Sequence, residues 1–278
     1  MRREPLFLAT AALLAAIALP AMAATVTLES AGDFAVLGGS SVTNTGSSVI
    51  NGGDVGLDPG TSISGFGSVT GTFTTHVNDS AAQTAQSDLT AAYVTAAGLA
   101  YTTDLTGTDL GNLTLTAGVY RFSSSAQLTG TLTLDYQGNS AAEFIFQIGS
   151  TLTTASNASV VAINGTGTTN GCGVYWQVGS SATLGTGTSF AGHILALSDI
   201  TLNSGTSLFG SALARNGAVA FDSSTITNFN CATGGGGGGG SPNAVPLPTS
   251  ALLGLALLSV AAVAAQRRLG RRRSFEVA

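Results

Sequence analysis

Residues 182–192 and 200–210 repeat each other at a spacing of 18. In Ala182-Thr183-Leu184-Gly185-Thr186-Gly187-Thr188-Ser189-Phe190 and Ile200-Thr201-Leu202-Asn203-Ser204-Gly205-Thr206-Ser207-Leu208, the apolar, Thr, Gly and hydroxyl positions fall on their counterparts. Another step of 18 leads into 219–228, where Ser223, Ser224 and Thr225 keep the polar places and Ile226 the apolar one. An earlier copy, at 151–157, fits only at an offset of 32, which requires an insertion, placed at 165–173; 113–119 and 128–134 are looser copies. Short β-branched runs punctuated by Gly at this period specify a stack of coils. No single coil can bury its own apolar residues, so the fold is cooperative along its axis.

One segment departs from the period. Residues 79–100 read as an α-helix: Asn78 or Asp79 can cap it, and Ala82, Ala85, Leu89, Ala92, Tyr93 and Ala96 recur at helical spacing. Such an Ala-rich stripe suits close packing along the side of the stack, with a mobile linker helix as the alternative. Residues 34–66 return to the coil pattern, with Val36, Val42, Val49 and Ile50 as core candidates. N-terminal coils can therefore pair with C-terminal ones and cover an open edge.

The ends read as sorting signals. Residues 1–24 have Arg2 and Arg3, an apolar run and Ala21-Met22-Ala23, which is the pattern of a secretory signal peptide. At the other end, 234–244 is a Gly-rich linker opening with seven consecutive glycines. Residues 245–278 hold Val245-Pro246-Leu247-Pro248, an apolar stretch at 251–265 and a run of arginines. That order resembles the PEP-CTERM sorting signal of Gram-negative bacteria, with Leu247 where the motif usually has Glu. The resemblance implies an exosortase-type processing enzyme as a partner; a plain transmembrane anchor is the alternative. Both place the protein outside the cell or at its surface.

Between the ends, 25–233 is one domain's worth of chain. It has twelve acidic residues against Arg121 and Arg215 and no Lys, so nucleic acid is disfavoured as a partner by simple repulsion. The whole chain has 38 Gly and 37 Thr, and low charge with abundant apolar residues also argues against disorder. The two cysteines, Cys172 and Cys231, read as a disulfide in an exported chain, with two separate thiols as the alternative.

The segments 33–46, 113–120 (Leu-Thr-Leu-Thr-Ala-Gly-Val-Tyr), 144–150, 176–184 and 212–219 resemble, in order, the bacterial and fungal ice-binding proteins of the discontinuous β-solenoid type. The resemblance covers 31–228. It implies a mainly β fold: a right-handed β-solenoid of roughly triangular section, interrupted in sequence and flanked by one long helix. The stretch 67–76 is too short for the capping subdomain that some members insert. It also implies ice binding as the function, with the ice crystal surface as partner and no cofactor; the PEP-CTERM-like signal implies extracellular polysaccharide as a further partner.

Members of that family carry a T-A/G-x-T/N pattern on the ice-binding face. Its clearest copy is Thr154-Ala155-Ser156-Asn157, and degenerate ones are Thr186-Gly187-Thr188-Ser189, Ser204-Gly205-Thr206-Ser207 and Thr45-Gly46-Ser47-Ser48, with Thr225 in the next coil. The candidate surface is thus Thr45, Ser48, Thr154, Asn157, Thr186, Thr188, Ser189, Ser204, Thr206, Ser207 and Thr225. Ser lacks the methyl that stiffens Thr, so a Ser-rich version should be weaker. Parity opposes this choice: Leu184, Thr186, Thr188 and Phe190 share one side of a straight strand. A corner at 185–187 must re-phase the chain; otherwise Thr151, Thr183 and Thr201 form the outward columns.

Two rival functions are weaker. An enzyme would need clustered acids or a metal site; the acids are scattered, His76 and His193 are distant in sequence, and no catalytic or metal-binding constellation emerges. A cell-surface or matrix adhesin remains the alternative to strong ice affinity.

Overall fold

The computed structural model describes residues 25–165 and 171–228. Among these residues the strands form three parallel sheets of nine, seven and eight strands. Each coil contributes one strand to each sheet in turn, which makes a solenoid with three faces. Along its axis the coils run 103–116, 118–135, 144–163, 174–191, 193–209, 212–227, 34–51 and 54–72. The first of these has only an isolated bridge, Asp109 to Gln127, on the second face.

The order is discontinuous, as the two coil-like regions either side of the helix anticipate. Val36 pairs with Ala212, Val42 with Val219, and Val49 with Thr225, so the N-terminal coil extends the C-terminal one. Residues 67–76 build Val69–Thr72, the last strand of the terminal coil, and most of Thr75–Val77, which pairs with Asp54–Leu57 one layer beyond it. From there the helix Ser80–Gly98 leads to the opposite end, where the stack begins again at Thr103. At about 1.5 Å per residue it is roughly 28 Å long, enough to lie over about six coils.

The repeat is the pairing register. Thr183 faces Thr201, Tyr175 faces His193, and Ser189 faces Ser207, which faces Thr225, all at 18. Two spacings differ from the expected ones. Thr153 faces Thr183 at an offset of 30, not 32, on all three faces of that step; the twelve extra residues lie between Val161 and Val174. A second insertion, between Asp135 and Phe144, lengthens the preceding step to 26–28 residues. It escaped the repeat because coils with longer corners no longer align by a constant offset.

Two cores hold the structure. Inside the solenoid, small and branched residues stack coil on coil, with Trp176 flat on Phe146 at 3.9 Å between ring centres and Phe190 tilted against it at 4.8 Å. The first sheet is apolar on its other side as well: Phe34, Leu37, Ile145, Tyr175, Leu195 and Leu213 pack on the helix. Ala82, Ala85, Leu89, Ala92, Tyr93 and Ala96, the stripe anticipated from spacing, are the buried helix residues, joined by Gln86. Asp79 caps the helix by accepting from the Ala82 N–H at 2.9 Å. Gln86 donates to the carbonyls of Gly38 and Ala214, and Gln147 to those of Ala96 and Leu99. These amides key the helix onto the sheet, whereas alanines alone would let it slide. Val49 is a correction: it points outward, and Ile50 fills the core place.

Among the described residues no helix is long and apolar enough to cross a membrane. The signal-peptide, linker and sorting segments, including Val245, Pro246, Leu247 and Pro248, lie outside the described residues, as does Cys231. Cys172 is half-buried, and its carbonyl accepts from the Tyr136 hydroxyl at 2.6 Å.

Candidate functional site

The helix covers the first face, leaving two that can meet an external surface. On the second face alternation is regular: Leu152, Ala182, Leu184, Ile200 and Leu202 point in, so Thr153, Thr183 and Thr201 point out. Strand pairing sets these in one column, Gln127, Thr153, Thr183, Thr201, Ala220, Thr43 and Ser64, each the direct partner of the next. A parallel column two residues earlier holds Thr151, Ser181, Asp199, Ala218, Ser41 and Ser62. From Thr151 to Ser64 every outward side chain is small. Successive coils stand about 4.8 Å apart and alternate residues about 6.6 Å apart, so the face is a shallow grid, mostly of hydroxyls.

The third face is less even. Thr131, Ser159, Ser189, Ser207, Thr225, Val49 and Thr70 form one outward column. Beside them stand Val161, 38% exposed, and half-buried Phe209, while Ile163 is 40% exposed. Large apolar groups raised above short hydroxyls make a rougher surface.

The corner between these faces sorts the T-A/G-x-T/N residues into two sets. The backbone turns through left-handed conformations at Asn157 (φ +58°), Gly187 (+70°), Gly205 (+76°) and Ser223 (+46°). The expected corner is therefore present, but it re-phases only part of the motif. Asn157, Thr186 and Thr45 are exposed at the corner and Ser204 is half-buried there; Ser189, Ser207 and Thr225 belong to the third face. Thr154, Thr188, Thr206 and Ser48 are a correction. They are at most 3% exposed and point into the solenoid, so their hydroxyls cannot touch anything outside. Thr154 and Thr188 bond each other at 2.9 Å, and Thr206 donates to the Asn203 carbonyl at 2.6 Å. The parity argument had identified this inward side; what it could not supply was where the turn ended. Thr151, Thr183 and Thr201, the alternative columns, lie on the flat second face. Thr153 and Thr43, which complete it, went unselected because the repeat was anchored on the glycines of the corner.

Ionisable groups are sparse. His76 sits at the end of the stack with Nδ1 2.7 Å from Asp79 and Nε2 3.4 Å from Asp54. Asp79 is held below the usual carboxylate range by the Ala82 N–H first and by His76 second. This group fastens the helix start to the last coil. Among the described residues no three His, Cys, Asp or Glu side chains are placed to hold a metal.

A family model described as Ice-binding-like matches residues 36–227, which is the solenoid from its N-terminal coil to its last C-terminal strand. The chain belongs to this ice-binding family. It is 51% identical over 236 residues to an ice-binding protein of Nostoc sp. (strain HG1), covering 84% of each chain. Among solved structures, it is similar to an ice-binding protein of the Antarctic ascomycete Antarctomyces psychrotrophicus at 38% identity and a TM-score of 0.70, over 74% of this chain and all of that one. It is also similar to an ice-binding protein from an Antarctic biological consortium at 43% identity and a TM-score of 0.68, over 77% of this chain and 96% of that one. The fold of the family is thus a mainly β solenoid with one flanking helix, as observed here.

Proposed function

We propose that the chain binds ice through its second face and so inhibits ice growth and recrystallisation. The observation that carries this reading is the unbroken register of Thr153, Thr183 and Thr201, continued past Ala220 by Thr43 and Ser64. The β-branched Thr has few rotamers, so its hydroxyl and methyl repeat at nearly fixed positions from coil to coil. Water held by the hydroxyls and confined by the methyls takes up the spacing of the grid and joins the ice lattice, and growth stops where the protein sits. Asp199, Ala218 and Ala220 interrupt the hydroxyls, which sets an expectation of modest activity.

Thr183→Tyr raises a ring above the middle of this grid. A purified 25–233 fragment should partition into growing ice and show thermal hysteresis, and the Tyr variant should lose both while keeping its melting temperature. Activity retained in Thr183→Tyr but lost in Thr186→Tyr would move the surface to the corner. A parent fragment without hysteresis or recrystallisation inhibition would leave the adhesin reading. Thr206→Tyr is no test of the face, because it would disrupt the interior instead.

The same reading includes export. The chain is delivered outside the cell by residues 1–24 and held at or released from the membrane by 245–278, with an exosortase-type enzyme cutting near Val245-Pro246-Leu247-Pro248. Cys172 and Cys231 close a disulfide there, tying the end of the domain to the insertion after the third coil. Extracellular polysaccharide is the further partner this location suggests.

A further inference from the structure

Behind the outward grid runs a second, internal series of hydroxyls. At the corner of each coil from the third to the seventh, a buried polar side chain ties the turn to its own carbonyls or to the neighbouring coil. Thr154 accepts from the Gly185 N–H at 2.8 Å and bonds the Thr188 hydroxyl; Thr188 also lies 3.2 Å from the Ala155 carbonyl. Thr206 bonds the carbonyl of Asn203 and lies 3.4 Å from that of Gly185. Ser224 donates to the Asp222 carbonyl at 2.8 Å, and its own N–H donates to the Ser48 hydroxyl at 3.0 Å. Ser48 then donates to Asn44, whose amide reaches the carbonyls of Gly46 and Gly65 at 2.9 Å.

This ladder and the outward grid begin at the same coil, and the bond from Asn44 to the Gly65 carbonyl carries the ladder to the eighth coil, where the grid ends. The second coil makes a shorter corner, Leu128-Thr129-Gly130-Thr131, and on it the outward column carries Gln127 instead of a small residue. The ladder also spans the coil whose second-face strand is shifted by one residue against both of its neighbours. Thr201 faces Ala220 at 19 residues while Ser207 faces Thr225 at 18, so the corner of 221–225 is one residue shorter than its neighbour. Ser224 bonds across that irregularity in both directions, to the Ser48 side and, at 3.5 Å, to Asn203.

We infer that Thr154, Thr188, Thr206, Ser224, Ser48 and Asn44 are positioning residues for the ice-binding face, an inference that rests on the reading of the second face given above. Buried corner carbonyls must find donors. With the hydroxyls in place these carbonyls turn inward, and the strand that ends at each corner is held level with the next. Without them the carbonyls would turn toward water, each coil would settle separately, and the grid would lose its flatness while its residues remained unchanged.

The test uses the isosteric pair Thr188→Val and Thr206→Val together in the full chain, with Thr188→Ser and Thr206→Ser as the conservative counterpart. Thermal hysteresis is measured at equal molar concentration, with circular dichroism at the same temperature showing that each protein is folded. The Val pair is expected to lose more than half of the hysteresis and the Ser pair to restore it. Parental hysteresis in a folded Val pair overturns the ladder's role, and so does a Ser pair that fails to restore activity. If the Val pair does not fold, Ser224→Ala is judged by the same criterion. Thr183→Tyr, run alongside, separates the two ideas. If it is inactive while the Val pair is fully active, only the ladder's role fails. If it is fully active, the face is elsewhere and the ladder's role falls with it.

Discussion

Lowering the pH should destabilise this protein through one histidine. His193 stands in the outward column of the first sheet, beside Tyr175, on the side the helix covers. It is 7% exposed, its Nδ1 is 2.8 Å from the Ser211 hydroxyl, and its ring is stacked on Tyr175 at 5.6 Å between centres. Burial disfavours the charged ring and lowers its pKa from 6.5 to about 4. The folded state therefore keeps the ring neutral over a range where the unfolded chain has already bound a proton. Stability is complete above 6.5, is lost as the pH falls from there to about 4, and levels off below. At about 1.4 kcal/mol per pH unit, that window corresponds to roughly 3 kcal/mol, or about 6–12 °C in melting temperature for a domain of this size. Asp79 and Asp104 are also held below their ordinary value, but their contribution is lost only below 3.8, outside the window. Glu143 and Asp33 are raised by burial and act weakly in the opposite sense. Melting curves of the parent and of His193→Gln at pH 7 and pH 4 isolate the histidine, because the carboxylates are common to both. The parent should lose about 3 kcal/mol more than the variant on acidification; equal losses would refute the reasoning.

Two further outcomes are expected. Trp176→Ala should cost about 3–5 kcal/mol, because the ring is fully buried, stacked on Phe146, and bonded through Nε1 to the Ala191 carbonyl at 3.0 Å; a loss under about 1 kcal/mol in urea melts would contradict the packing described here. Mass spectrometry of protein secreted by its native host should give a chain that begins near residue 25, ends near the Pro-containing motif and gains two hydrogens on reduction. Retention of 251–278 would favour a permanent anchor, and no mass change on reduction would remove the disulfide.

Much of the architecture was legible because a solenoid makes sequence period and spatial pairing the same quantity. Thr183 over Thr201 and Ser189 over Ser207 could be read as an 18-residue repeat before any contact was seen. The helix was equally legible, since Ala82, Ala85, Leu89, Ala92 and Ala96 share one face at helical spacing. Legibility failed where the coil length varied. The step to Thr183 was misjudged by two residues, and the insertion before Phe144 left no periodic trace. Gln86 and Gln147 could not be distinguished from surface amides, because their carbonyl partners come from other coils.

The sequence alone determined that the chain stacks coils, that it is interrupted by a helix, and that its polar positions are Thr and Ser rather than charges. Those properties follow from local spacing and composition. Only the tertiary structure decided which hydroxyls face outward. Thr183 and Thr188 are the same residue type five positions apart, yet one lies on the flat face and the other inside. The left-handed turn at Gly187 lies between them, and one residue of phase at a corner exchanges the two sides of a strand.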